Sequence, residues 1–119
     1  MALSVLLIDD DPTFRALARR VLTLSGCEIA GEADCGENGV SSADRLRPDA
    51  ILVDVGLPDA DGLSLAAHLS ALPWQPRVLV TSVDADATSD EAARGNGALG
   101  FVPKHELPGA GLSLLLGDR

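Results

Sequence analysis

Apolar residues in this chain come in short unbroken runs separated by longer periodic stretches. Leu3 to Ile8, Ala50 to Val55, Val78 to Val80 and Leu99 to Val102 each have strand length and little polar interruption. That is the pattern of strands covered on both faces in a parallel sheet. Cys27 to Ala33 alternates more and predicts an edge strand. Between the runs, apolar positions recur at helical spacing. Phe14, Leu17, Ala18, Val21 and Leu22 form a first stripe, with Pro12 at the first helical position and Gly26 at the stop. Val40, Ala43 and Leu46 form a second, ended before Pro48, and Leu63, Ala66 and Leu69 a third, ended before Pro73. Ala87 to Arg94 is a weaker, polar fourth, followed by Gly95 and Gly97, and Leu107 to Leu116 predicts a fifth.

Strands and helices alternating five times through short connections predict an open parallel α/β sheet with helices on both faces and right-handed crossovers. Ligands in such folds lie beyond the carboxyl ends of the strands, where strand order reverses. The 119 residues, 46% of them hydrophobic, suit one domain over 1–119 with a core that needs no disulfide or structural metal. No linker or second domain is expected. Cys27 and Cys35 have neither a disulfide framework nor metal-ligand spacing and are read as reduced thiols of a cytoplasmic protein. No export signal and no membrane-length apolar stretch are seen.

Charge then narrows the partners. Eighteen acids against 9 bases give a net charge of −9, which argues against binding nucleic acid or anionic lipid. Eight of the bases are Arg, and the single Lys is Lys104. The placement of charge matters more than its sum. The first strand ends in Asp9-Asp10-Asp11, the third in Asp54 and the fourth in Thr81-Ser82, while Lys104 follows the fifth. Singly these are ordinary: an Asp before Pro12 caps a helix, and a lone Lys is generally a solvated charge. Converging on one rim, three carboxylates repel one another and raise their pKa values unless a cation lies among them. Hard oxygen donors suit Mg²⁺. A carboxylate can also act as nucleophile and carry a phosphoryl group, with cations neutralising the developing charge.

These residues fall into motifs. VLLIDDDPTFR, ILVDVGLPDADG and GFVPK, in that order, resemble the receiver domain of two-component response regulators over essentially the whole chain. The resemblance implies a flavodoxin-like three-layer α/β/α fold, (βα)5, with a five-stranded parallel sheet in the order 2-1-3-4-5. It implies a phosphoryl group passed from a sensor histidine kinase to Asp54. It places Mg²⁺ at Asp9, Asp10, Asp54 and the backbone carbonyl of Gly56, with Lys104 and a hydroxyl on the phosphoryl oxygens. Family spacing back from GFVPK gives Ser82 as that hydroxyl, with Thr81 as the alternative. Phe101 takes the place of the switch aromatic, turning inward to reshape the face made by the fourth helix, fifth strand and fifth helix. Output would go to a downstream domain or protein, of the kind that includes helix-turn-helix transcription regulators, or to a homodimer. Plain core is the other reading of Phe101.

Two positions depart from the family pattern. His105 stands where proline commonly follows the lysine with a cis peptide, and a cis bond without proline costs about 3–4 kcal/mol, so the loop is expected to be trans or strained. Gly56 stands where the family often has Met, opening the acceptor to water and changing the phosphoryl lifetime. A rival reading takes Asp9-Asp10-Asp11-Pro12-Thr13 as the motif of haloacid dehalogenase-like phosphohydrolases, with Asp9 as nucleophile and Asp11 as acid/base. It lacks the later acidic motif and a cap segment and leaves Asp54 unexplained. A receiver-like interaction module that is never phosphorylated would need a distortion at Gly56 or His105. A flavodoxin-like cofactor binder is disfavoured by an aromatic content of 3%.

Overall fold

The computed structural model describes residues 2–117. The strands are β1 (Ser4–Ile8), β2 (Glu28–Ala33), β3 (Ala50–Asp54), β4 (Arg77–Ser82) and β5 (Gly100–Pro103). The helices are α1 (Pro12–Leu24), α2 (Gly36–Leu46), α3 (Gly62–Ser70), α4 (Asp90–Gly95) and α5 (Leu112–Leu116). All pairings are parallel and the sheet runs β2-β1-β3-β4-β5, the order expected for the flavodoxin-like fold. Strand order reverses between β1 and β3, so the site belongs at their carboxyl ends.

Period-two alternation along the strands feeds two cores. Leu6, Ile8, Ile51, Val53, Val78 and Val80 point to one face, against Ala43 of α2, Leu65, Ala66 and Leu69 of α3 and Ala93 of α4. Val5, Leu7, Ala50, Leu52 and Leu79 point to the other, against Phe14, Ala18 and Leu22 of α1 and Leu115 of α5. Burying one such side chain contributes roughly 1.5–3 kcal/mol, and β3, paired on both sides, is buried at every position.

Strand limits shift from the apolar runs by one or two residues, and two helical boundaries differ more. α4 begins at Asp90 rather than Ala87, because the Ser89 hydroxyl accepts from Ala92 N–H at 3.0 Å and caps the helix there. The fifth helical segment is composite: a 3₁₀ turn over Lys104–Glu106, a π-type turn over Leu107–Gly111, and only then α5. Pro108 is tolerated in the first turn of the π-type segment, where a helical N–H has no intrahelical partner. No peptide bond among the described residues is cis, so Lys104–His105 is trans. Both cysteines are free, Cys27 buried and Cys35 partly so. No helix among the described residues is long and apolar enough to cross a membrane.

Candidate functional site

Asp9 extends β1 by one residue, its N–H donating to the carbonyl of Ala33 at 3.0 Å. Its Oδ1 accepts from Asp11 N–H at 2.9 Å, and its Oδ2 lies 2.8 Å from Lys104 Nζ. Asp54, the last residue of β3, lies 3.8 Å from the same ammonium through Oδ2 and accepts from Gly56 N–H at 3.2 Å through Oδ1. Lys104 reaches this point from the turn after β5, its Nζ 4.6 Å from the centre of the Phe14 ring. Asp9, Asp54 and Lys104 are all buried, and Asp10 is exposed at the rim.

Oxygens of Asp9, Asp10 and Asp54 lie within 4.8 Å of one another. One ammonium faces three carboxylates, so the pocket is short of positive charge. Burial pushes the Asp54 carboxyl up, and the charge of Asp9 adds to this; Gly56 N–H and Lys104 oppose it. Asp9 Oδ2 is buried and makes no hydrogen bond, its contact with Lys104 being an ion pair without hydrogen-bond geometry. An orphaned buried oxygen among hard donors fits a small divalent cation such as Mg²⁺.

The two hydroxyls separate. Thr81 is fully buried in register with Asp54, and its Oγ1 donates to the carbonyl of Val53 at 3.4 Å. Ser82 lies one residue further out, paired with Pro103 beside Lys104, and its Oγ accepts from Asp84 N–H at 3.1 Å. Phe101 is already inside, 8% exposed in the core with Ala93 and Ala98. Its N–H donates to Asp90 Oδ1 at 3.1 Å, joining β5 to the start of α4. Asp11 caps α1 by accepting from Thr13 N–H at 2.9 Å; this helix-capping role is not the acid/base role of the phosphohydrolase reading.

Spacing within motifs did not reveal two further residues. Asp59 accepts from the N–H groups of Gly36 and Glu37 at 2.7 and 3.0 Å, clasping the β3–α3 loop to the start of α2 and holding its carboxyl below the usual range. Arg15 donates from Nη1 to the carbonyl of Asp9 at 2.6 Å. Its place four residues after the cap Asp11, in the first turn and a half of α1, was the available signal.

Fold and site together define a doubly wound α/β protein with an acidic pocket and one buried lysine at the switch point of its sheet. The sequence matches the response regulator receiver domain family over residues 5–113, and the chain belongs to that family. It is 37% identical over 102 residues to the transcription regulator BvgA of Bordetella pertussis, a match covering 86% of this chain and 49% of BvgA. The chain thus spans about half the length of the curated relatives it matches. Among solved structures it resembles the signal receiver domain of NarL from Mycobacterium tuberculosis, with TM-score 0.81, 30% identity and 98% of each chain covered. It also resembles a response regulator from Burkholderia pseudomallei solved with a phosphorylated aspartic acid, calcium ion and citrate. That likeness has TM-score 0.81 and 27% identity, covering 95% of this chain and 66% of the other.

Proposed function

We propose that this chain accepts a phosphoryl group on Asp54 from a phosphohistidine of a sensor kinase in the cytoplasm, in a Mg²⁺-dependent reaction. The observation that carries this reading is the buried Asp54 carboxylate set beside Asp9 and Asp10 and 3.8 Å from Lys104. Asp9, Asp10 and Asp54, with the carbonyl of Gly56, would hold the ion. When bound, Mg²⁺ supplies positive charge that offsets the carboxylates and the phosphoryl oxygens.

An ionised Asp54 oxygen attacks phosphorus; the P–O bond forms as the P–N bond to the donor imidazole breaks, and the imidazole keeps the electron pair. Lys104 stands ready to pair with the new phosphoryl oxygens. Ser82 Oγ accepts from Asp84, which leaves its O–H free to donate to the phosphoryl group. Drawing Ser82 inward would break that bond and shift the β4–α4 loop. Phe101 already occupies the core, so the change begins at Ser82 and passes to the face of α4, β5 and α5. That face would meet an output domain, a protein partner or a second copy of the chain. The chain's own catalysis is confined to receiving the phosphoryl group and hydrolysing it.

Acetyl phosphate with Mg²⁺ provides the test. Intact-mass and peptide analysis should place one phosphoryl group on Asp54, and Asp54→Asn and Asp9→Asn should each abolish or sharply reduce labelling. An aspartyl label persisting in Asp54→Asn refutes the reading.

A further inference from the structure

Beyond the pocket itself, the backbone that carries the acid pair is fastened from outside. Arg15, on α1, reaches back past the cap and donates from Nη1 to the carbonyl of Asp9 at 2.6 Å. Its Nε donates to Glu32 Oε1 on β2 at 2.9 Å. Glu32 is held in turn by Arg19, whose Nε and Nη2 donate to Oε2 at 2.9 and 2.6 Å. The Arg15 side chain is 19% exposed and its bond to the Asp9 carbonyl is partly buried, whereas Glu32 and Arg19 stand at the surface. The fork of one guanidinium therefore spans α1, β2 and the end of β1, a geometry that an ammonium cannot reproduce.

The carbonyl of Asp9 belongs to the peptide that leads into Asp10. Asp9 is already fixed through its N–H, its Oδ1 and its ion pair with Lys104. Asp10 is exposed, and no hydrogen bond of its own carboxylate fixes it, so its direction depends on the peptide before it. We infer that Arg15 is a positioning residue for the Asp9–Asp10 pair, orienting the Asp10 carboxylate toward the metal through the Asp9 carbonyl, with Glu32 as its prop. This rests on the metal-dependent reading above.

Charge and geometry predict opposite signs here. If Arg15 acted only as a nearby positive charge, removing it would tighten binding of a cation. If it holds the peptide, removing it weakens binding, and outer-sphere partners of metal ligands typically contribute tenfold or more in affinity. Mg²⁺ binding by calorimetry on the full chain separates these, with thermal melts confirming that each variant folds. Arg15→Gln should weaken Mg²⁺ binding about tenfold. Arg15→Lys keeps the charge but loses the fork, and should weaken it about threefold. In the metal-free protein, the amides of Asp10 and Asp11 should exchange faster in both Arg15 variants. Tighter or unchanged Mg²⁺ binding in Arg15→Gln, or wild-type binding in Arg15→Lys, overturns the inference. Failure of the wild-type chain to bind Mg²⁺ or to take a phosphoryl group would instead overturn the metal-dependent reading beneath it.

Discussion

Lys104→Met is the perturbation whose consequences the geometry defines most closely. Methionine keeps the apolar stem and a polarisable atom over the Phe14 ring while deleting the charge. At an effective dielectric of about 20, a unit pair at the 2.8 Å seen to Asp9 is worth about 6 kcal/mol, and one at the 3.8 Å seen to Asp54 about 4 kcal/mol. Desolvating a buried ammonium and its partners offsets several kcal/mol per ion, so the gross figure is far from the net. Removing one partner of a buried pair nonetheless leaves a carboxylate without its counter-charge, which costs about 3–5 kcal/mol. The lower end applies, because Asp10 is exposed and water reaches the rim. A loss of about 3 kcal/mol is a large part of a total stability of 5–15 kcal/mol and lowers Tm by roughly 12 °C for a chain of this size. Urea unfolding at neutral pH without divalent ions measures it. Mg²⁺ should narrow the gap between variant and wild type, because the cation then opposes three uncompensated carboxylates. Mild acid should narrow it as well, by protonating Asp54, whose pKa burial has already raised. A variant as stable as the wild type in metal-free neutral buffer, or a gap that Mg²⁺ leaves unchanged, refutes the reasoning.

Asp54 has a folded-state pKa above its unfolded value, so its contribution to stability is complete below the ordinary carboxylate range and is lost as pH rises through the raised value. Asp54→Asn should accordingly be more stable than wild type in metal-free neutral buffer, with urea midpoints converging toward about pH 4. A Cβ on Gly56 would sit 3.8 and 3.9 Å from the Asp54 oxygens, ordinary contact distance. Gly56→Met should fold, cover the acceptor and lengthen the phosphoryl half-life severalfold, as followed by loss of label after desalting. A Cβ on Gly62 would run into the backbone of Val55, so Gly62→Ala should cost about 3 kcal/mol in urea unfolding and lower Mg²⁺ affinity by displacing the Asp54 loop. Asp59 has its pKa lowered by the amides of Gly36 and Glu37, so its contribution is present at neutral pH and lost as pH falls through the depressed value. Asp59→Ala should melt at a lower temperature at neutral pH, with the difference vanishing in strong acid.

What could be read from the chain alone follows from which forces are local. Fully buried strands leave a continuous apolar signature, and β3 and β4 showed it because both of their faces are covered. An acid that follows or closes such a run belongs near a strand end, as Asp9 and Asp54 do. The start of α4 depended on a single hydroxyl. Ser89 followed by Asp90 and Glu91 is a capping signal, and apolar periodicity does not register it. The π-type winding of Leu107–Gly111 likewise lies outside a periodicity argument. The clasp from Asp59 to Gly36 and Glu37 spans more than 20 positions, and the fork from Arg15 to Glu32 spans 17. Only the tertiary fold brings either pair together.

Strand phase explains why these site residues are separated as they are. Asp9 continues the alternation of Val5 and Leu7, Asp54 that of Ala50 and Leu52, and Lys104 that of Val102. All three therefore prolong the row of side chains that packs against α1 and α5, which is why Phe14 of α1 lies beneath Lys104. Ser82 continues Val78 and Val80, and Phe101 shares their core; both are in phase with the face covered by α2, α3 and α4. The carboxylates and the ammonium thus belong to one side of the sheet, and Ser82 and Phe101, the proposed switch residues, to the other, meeting only at the rim where the strands end. Thr81 has the phase of the charged row, yet its hydroxyl is committed to the Val53 carbonyl inside the sheet. Ser82 is the first hydroxyl that can serve both sides, since its Oγ holds the β4–α4 loop while its proton is free for the pocket. On the proposed reading, a signal generated among Asp9, Asp54 and Lys104 crosses the sheet at that residue to reach α4. For that reason Ser82→Ala should leave labelling of Asp54 largely intact while uncoupling it from any change in α4, measured as amide exchange at Ala92 and Ala93 before and after acetyl phosphate. Equal exchange responses in variant and wild type would show that the crossing lies elsewhere.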